Sequence, residues 1–197
     1  MYYSELTTEA LHSGGEYAST LRILILNAWR DEYTLASTRK YDLFHFQFET
    51  FDYLYDIYQG SLEEWERNPT ALVEARLVGA IGTSCPSPRN RDDGRLRGMP
   101  IQKGPNKDEK WDRGHYIGHA IGGKVDGNEA NVFRQARSVN RGAYRKLENY
   151  CARHPGTLCF SHPIYRDHSA TPCQIEFGIL KPDGRLIVEI LRNQIDA

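Results

Sequence analysis

The sequence has no run of the roughly 20 apolar residues that a membrane-spanning helix needs, so we expect no membrane partner. Its first 20 residues also lack the basic start and apolar core of a secretory signal peptide. We therefore expect a protein made in the cytoplasm, whose export or delivery into a target cell would need a dedicated secretion system. Internal repeats and low-complexity segments are absent as well.

Cysteine is scarce, with four residues in 197. Cys151, His154, Cys159 and His162 follow the spacing C-x2-H-x4-C-x2-H, which resembles a compact zinc site. Cys159 and His162 are three residues apart in a predicted strand, however, so their side chains should point to opposite faces. Without a secretory context free thiols are the default. We therefore expect packed, free cysteines rather than structural zinc.

The net charge of −1 is unevenly distributed along the chain. Residues 1–83 hold 6 Lys and Arg against 13 Asp and Glu, a charge of −7. Residues 84–150 hold 14 against 8, a charge of +6, and residues 151–197 balance at 5 against 5. A basic middle third is expected where a polyanion such as nucleic acid docks, although a solvated mixed surface can have the same composition.

Most of the N-terminal 80 residues have helical patterns. Residues 1–20 are polar and predict a loosely held arm. Thr20–Ala36 has the apolar spacing of an amphipathic helix. Ser61–Asn68 begins with a capping box and stops before a proline, which also predicts a helix.

Tyr41–Gln59 is rich in aromatic residues and fits two periods. Phe44, Phe46 and Phe48 alternate as in a strand, whereas the aromatic spacing over the whole segment fits a helix. We predict a helix, because the acidic residues of the segment then fall largely on one side. Such an aromatic stripe is usually core, and a docking surface for a protein partner is the functional alternative.

The remaining chain predicts strands and one arginine-rich loop. The strands are Ala75–Thr83, Leu158–Tyr165, Gln174–Leu180 and Arg185–Leu191, the last two paired as a hairpin across an Asp-Gly turn. A Pro/Gly/Arg-rich loop follows the first strand. It is either a solvated turn or a phosphate-gripping loop, and Arg95 and Arg97 are then the better candidates for nucleic-acid contacts.

The sequence predicts a strand at Trp111–Ile117 that contains candidate catalytic side chains. Side chains alternate along a strand, so Arg113 and His115 project together while Asp112 and Gly114 project the other way. A guanidinium can fork onto a phosphate, and a neutral imidazole can take a proton from water. The pair therefore suits hydrolysis of a phosphodiester.

Residues 140–152 predict a helix in which Asn140, Tyr144 and Glu148 share one stripe. Arg141 and Arg145 form a second stripe beside it and could neutralise phosphate charge. The amide oxygen of Asn140 is a hard ligand suited to Mg²⁺. Glu148 lies about 12 Å further along the helix, too far for a second direct ligand, and would act through water.

These motifs, in this order, resemble the DNA/RNA non-specific endonucleases, a branch of the ββα-metal (His-Me finger) nucleases. The matching residues are DRGH at Asp112–His115, Asn131 and Gln135 in NVFRQ, and NRGAYRKLE at Asn140–Glu148. The string LCFSHPIYRD at residues 158–167 is a weaker continuation. The phrasing GHYIGHAIGG is similar to the nuclease domains of bacterial toxins.

The resemblance implies His115 as the general base and Asn140 as the single protein ligand of a divalent ion, Mg²⁺ or Mn²⁺. Arg113 and Glu148 are the supporting groups that it implies at the catalytic centre.

Three further polar residues lie within or beside the motifs. We expect Asn131 and Gln135 to brace the backbone and His119 to pack behind the catalytic residues. The His115–His119 spacing also invites a zinc-protease interpretation, which fails because Tyr116 stands where the glutamate of that motif belongs.

We therefore expect an α+β fold, with an N-terminal helical region at residues 1–80 and a ββα-metal nuclease domain with an antiparallel sheet at residues 81–197. The expected activity is metal-dependent, largely sequence-non-specific hydrolysis of DNA, with RNA left open as a second substrate. The resemblance implies a bacterial toxin or effector neutralised by an immunity protein. The alternative is a catalytically idle, nuclease-like module that binds a protein or nucleic acid.

Overall fold

The structure, a computed structural model, describes residues 3–36, 42–57, 76–86, 110–123, 131–167 and 169–195. Its helices and strands follow in chain order: α1 (Tyr3–His12), α2 (Tyr17–Ala36), β1 (Asp42–Phe48), β2 (Phe51–Ile57), β3 (Arg76–Thr83), β4 (Trp111–His115), β5 (Val132–Ala136), α3 (Arg137–Val139), a π-helical turn (Asn140–Tyr144), α4 (Arg145–Arg153), β6 (Leu158–Ile164), β7 (Gln174–Leu180) and β8 (Leu186–Arg192). A 3-10 turn at His119–Ile121 follows β4.

Within the described ranges, six strands form one antiparallel sheet in the order β1-β2-β3-β6-β7-β8, and β4 pairs with β5 in a separate two-stranded sheet. The β7–β8 hairpin is confirmed, and Gly184 in its turn has a φ of +82°, a conformation that favours glycine. The predicted strands before it are confirmed as β3 and β6.

The six-stranded sheet has a core on each face. Helix α2 covers one face with Leu21, Ile25 and Trp29, which are fully buried at helical spacing. Trp29 lies directly on Gly79, where an added Cβ would come within 2.3 Å of the indole. The predicted amphipathic helix is therefore confirmed, and it starts three residues earlier than expected.

The opposite face of the sheet packs against β4, β5 and the helical segment after them. Its core includes Tyr116, Phe133, Tyr144 and Phe177, with Tyr116 stacked on Phe133 at 4.2 Å. Alternation along β6 divides its side chains between the faces, so that Cys159 belongs to this core.

Two N-terminal predictions are wrong. Residues 3–12 form helix α1, which buries Ala10 against α2 and the sheet, rather than a loose arm. The helix predicted for Tyr41–Gln59 is also wrong, because residues 42–57, the described part of that segment, form the β1–β2 hairpin. The aromatic alternation decided this outcome: Phe46 stacks on Tyr53 of the partner strand, with ring centroids 5.0 Å apart.

The acidic residues that favoured a helix have partners in the hairpin. Asp52 pairs with Arg22 at 2.6 Å and with His45 at 3.0 Å. The fully buried Asp56 accepts a hydrogen bond from the Tyr33 hydroxyl. Contacts with α2 and between strands therefore outweigh the local helical pattern.

The hairpin also bears on the predicted domain boundary. Strand β2 pairs with β3, and β3 pairs with β6, so the N-terminal strands continue the central sheet. The predicted boundary after residue 80 falls inside β3. The predicted helix at residues 61–68 lies outside the described residues.

All four cysteines are free thiols, as expected. The side chains of the two histidines in the zinc-like pattern have other partners: His154 stacks on Tyr150, whereas His162 stacks on Trp29 beneath α2. Among the described residues no helix is long and apolar enough to cross a membrane.

Candidate functional site

The β4–β5 ladder places the motif side chains on two faces. Its register pairs Asp112 with Gln135, Arg113 with Arg134, Gly114 with Phe133 and His115 with Val132. Directly paired residues share a face, and neighbours along a strand alternate. Arg113 and His115 therefore share a face with Arg134, as their spacing predicts, and Asp112 lies on the other.

The helical segment after β5 starts near Asp112. The expected continuous α-helix is interrupted by the π-helical turn at Asn140–Tyr144, in which Gly142 has non-helical dihedrals (φ −98°, ψ −109°). Glycine tolerates such a backbone, and single π-helical turns are frequent at functional sites. The turn brings both Asn140 and Arg141 to the carboxylate of Asp112.

Asp112 is the centre of a charged cluster. Arg141 makes a two-point ion pair with it, Nε to Oδ2 at 2.8 Å and the terminal nitrogen to Oδ1 at 3.0 Å, and Arg137 Nε donates to Oδ1 at 3.1 Å. Burial raises the pKa of Asp112, but hydrogen bonds from Arg141, Asn140 and Arg137 outweigh burial and hold the pKa below its ordinary value. The carboxylate is therefore ionised at neutral pH.

The same carboxylate orients Asn140. The amide nitrogen of Asn140 donates to Asp112 Oδ2 at 3.1 Å. Because that nitrogen is engaged, the amide oxygen Oδ1 is the atom turned away from Asp112 and available as an acceptor. An oriented neutral oxygen beside an ionised carboxylate fits a hard divalent cation such as Mg²⁺.

Glu148 reaches the loop that follows β4. An added Cβ at Gly118 would come within 2.2 Å of Glu148 Oε1, so the carboxylate lies directly against the backbone there. Gly118 comes three residues after His115. The glycine therefore gives Glu148 access to the C-terminal end of the strand that carries the imidazole.

Two buried side chains hold the chain just beyond His115. The Tyr144 hydroxyl donates to the Tyr116 carbonyl at 2.5 Å. Asn131 accepts from the Ile117 amide at 2.9 Å and donates to the Ile117 carbonyl at 2.7 Å. These bonds fix the position of the backbone that follows His115.

The other sequence-predicted residues lie at varied positions. Gln135 is fully buried beneath Gly114, and His119 lies half-buried at the start of the 3-10 turn. Arg145 is exposed on α4. Arg95 and Arg97 lie outside the described residues.

Sequence reasoning missed Arg137. It precedes Arg141 by four residues, so the two arginines share one side of a helix. That spacing is visible in the sequence, but only the folded structure shows that their partner is Asp112 on β4. The structure thus groups Asp112, Asn140 and Arg141, and adds Arg137 to them.

A two-stranded antiparallel ladder followed by a helix, packed on a larger antiparallel sheet, is the α+β arrangement of a ββα-metal nuclease. The family model for DNA/RNA non-specific endonucleases matches residues 64–180. The chain belongs to that family.

Solved structures of nucleases are also similar to the chain. "Structure of Sda1 nuclease with bound zinc ion" has 17% identity and a TM-score of 0.36, over 73% of this chain and 56% of that one, so the match spans little more than half of the Sda1 chain. An "extracellular endonuclease" has 17% identity and a TM-score of 0.36, over 83% and 86% of the two chains. An "extracellular nuclease" has 15% identity and a TM-score of 0.31, over 80% and 87%. No curated protein matches the chain.

Proposed function

We propose that the protein is a metal-dependent endonuclease that hydrolyses DNA and RNA with little sequence preference. The observation that carries the proposal is the hydrogen bond between Asn140 and Asp112, which orients the Asn140 amide next to β4, the strand that also bears Arg113 and His115. Family membership supports a nucleic-acid substrate.

His115 is the proposed general base. Neutral imidazole takes a proton from the attacking water, a step that typically contributes about 10²–10⁴-fold to the rate. The resulting hydroxide attacks phosphorus, and the 3′ oxygen departs and takes a proton from solvent. Arg113 lies on the same face of β4 as His115. Its guanidinium neutralises the negative charge that develops on the phosphoryl group during the attack.

Asn140 is the proposed protein ligand of Mg²⁺ or Mn²⁺, through Oδ1. When bound, the cation would stabilise negative charge on the phosphoryl group and on the departing oxygen. Asp112 holds the amide of Asn140 in orientation, and Glu148 would accept hydrogen bonds from water bound to the cation.

Further arginines are proposed to hold the substrate by its backbone. Arg145 is exposed on α4, and Arg141, 61% exposed, could exchange its carboxylate partner for a phosphate. Arg95 and Arg97 are proposed for the same role from the sequence. Because contacts to phosphate carry no sequence information, the enzyme should cut with weak sequence preference.

The test is incubation of the purified protein with plasmid DNA and with RNA, each with Mg²⁺ and with excess EDTA, beside the His115→Ala variant. We expect cleavage with Mg²⁺, loss of cleavage with EDTA, and loss in the variant. A folded protein that cleaves neither substrate under any condition would instead be an idle binding module.

The biological role that we propose is that of a bacterial antibacterial toxin delivered by a dedicated secretion system and neutralised by an immunity protein. Such an inhibitor would cover the proposed catalytic residues or present acidic groups to the basic segment at residues 84–150. Intracellular production should arrest bacterial growth, whereas the His115→Ala variant should be tolerated at equal abundance. Equal growth with both proteins would contradict the toxin role and leave the nuclease activity untouched.

A further inference from the structure

Two arginines face each other across the β4–β5 ladder. Arg113 and Arg134 are directly paired in the antiparallel register, so their side chains leave the same face of the two-stranded sheet. Both side chains are half-buried, which leaves part of each in reach of a ligand. The sequence motifs assign no role to Arg134.

The pairing of like charges has a physical cost. Two cations placed directly opposite each other on neighbouring strands destabilise the ladder. An anion bound between them would make a charge-assisted contact with each guanidinium. Both arginines also make other contacts within the protein, so a phosphate would join an existing network.

Trp111 fixes the orientation of Arg134. The guanidinium lies over the indole ring, 4.6 Å from its centroid. This contact restrains the guanidinium, and a restrained guanidinium loses less freedom when it forks onto a phosphate. His115 lies on this same face, two residues along β4 from Arg113.

We propose that Arg134 and Arg113 together bind one backbone phosphate of the nucleic-acid strand, with Trp111 holding Arg134 in place. The inference rests on the proposed function, since it states how the same site grips its substrate. Because the contact is to a phosphodiester, it is independent of base sequence and is the same for DNA and RNA.

The experiment measures binding rather than cleavage. The full chain carrying His115→Ala, which prevents cutting, is titrated with a fluorescent DNA duplex in Mg²⁺ buffer between about 50 and 200 mM salt. The slope of log affinity against log salt is negative, and removing one phosphate contact reduces its magnitude by about 0.9. We therefore expect Arg134→Gln to reduce the magnitude of the slope by about 0.9 and to weaken binding roughly tenfold.

Matched variants separate the phosphate contact from a general charge effect. Arg153→Gln and Arg185→Gln each remove an exposed arginine elsewhere, at the end of α4 and beside the β7–β8 turn, and should leave the slope unchanged. Arg134→Lys retains the charge but loses the fork and the stack, so it should keep the slope and bind several-fold more weakly. An unchanged slope in a folded Arg134→Gln variant would overturn the proposal.

Two further results would also test the proposed phosphate contact. If Arg134→Gln does not fold, judged by thermal unfolding, Arg134→Lys carries the test, and wild-type affinity in that variant overturns the proposal. Plasmid cleavage by the protein with His115 intact is measured in parallel. Cleavage with no slope change rejects the Arg134 contact alone, whereas a slope change without any cleavage supports the contact and rejects the nuclease activity.

Discussion

The amide nitrogen of Asn140 lies 3.1 Å from Oδ2 of Asp112, which joins the helical segment after β5 to strand β4. Arg137 and Arg141 bind the same carboxylate, at 3.1 and 2.8 Å. One carboxylate thus sets the direction of the amide oxygen proposed to bind metal and remains charged while it does so.

Asp112→Asn should weaken metal binding. An asparagine retains the shape but loses the charge, so it binds the two arginines less strongly and no longer fixes the amide of Asn140. Groups that orient a metal ligand typically contribute about 10–100-fold to affinity or activity. We expect a loss in that range, measured as Mn²⁺ binding from the electron paramagnetic resonance signal of free ion and, separately, as cleavage rate.

A matched control for that variant is Asp183→Asn. Asp183 also accepts from an arginine, Arg185, at 2.8 Å, but both lie exposed on the β7–β8 turn. This variant should bind Mn²⁺ as the wild type does. Equal Mn²⁺ affinity in the two aspartate variants would contradict the role of Asp112.

The pH dependence of activity should follow His115 and not Asp112. The pKa of Asp112 is lowered, so its contribution to stability is present above its unfolded value, near 3.9, and is lost only as pH falls through the lower folded value. An ordinary imidazole titrates near pH 6.5. We therefore expect the cleavage rate to fall below about pH 6.5 while the ion pairs of Asp112 persist. A rate that stays constant from neutral pH down to 5 would count against His115 as the base.

Much of this arrangement is readable in the sequence because it depends on local periodicity. Alternation along β4 predicted that Arg113 and His115 share a face, and the Asp-Gly turn predicted the final hairpin. Helix α2 was likewise predictable, because Leu21, Ile25 and Trp29 recur at the spacing of one helical face.

The remaining features depend on contacts between distant segments. Helical and strand periods coexist in residues 41–59, and the choice was made by pairing with β3 and by partners on α2 such as Arg22 for Asp52. The cluster around Asp112 likewise joins residues that are 25 to 29 positions apart. No local pattern specifies which strand residue will meet Arg137.

Tyr144→Phe should destabilise the protein, although it preserves the ring. The Tyr144 hydroxyl is buried, and burial raises its pKa well above the ordinary value, so it remains a donor at working pH. Its loss leaves the Tyr116 carbonyl without this bond, at a cost of about 1–3 kcal/mol. Urea unfolding measures the change. Tyr17→Phe, which removes a partly buried bond of 3.2 Å to Gly184, should cost less than about 0.5 kcal/mol.

Gly118→Ala should impair catalysis through Glu148. Gly118 has φ −66° and ψ 149°, which alanine adopts without strain, so the backbone itself tolerates the change. The new methyl group would lie 2.2 Å from Glu148 Oε1, and the carboxylate would have to move. We expect a loss of cleavage rate comparable to that of Glu148→Ala, measured on plasmid DNA at saturating Mg²⁺.

The double variant identifies the cause of that loss. If the methyl group acts by displacing Glu148, Gly118→Ala should cost little in a background that already carries Glu148→Ala, because the displaced carboxylate is gone. Additive losses in the double variant would mean that Gly118 supports the end of β4 by itself. They would also mean that contact with Glu148 is not the reason why glycine is needed three residues after His115.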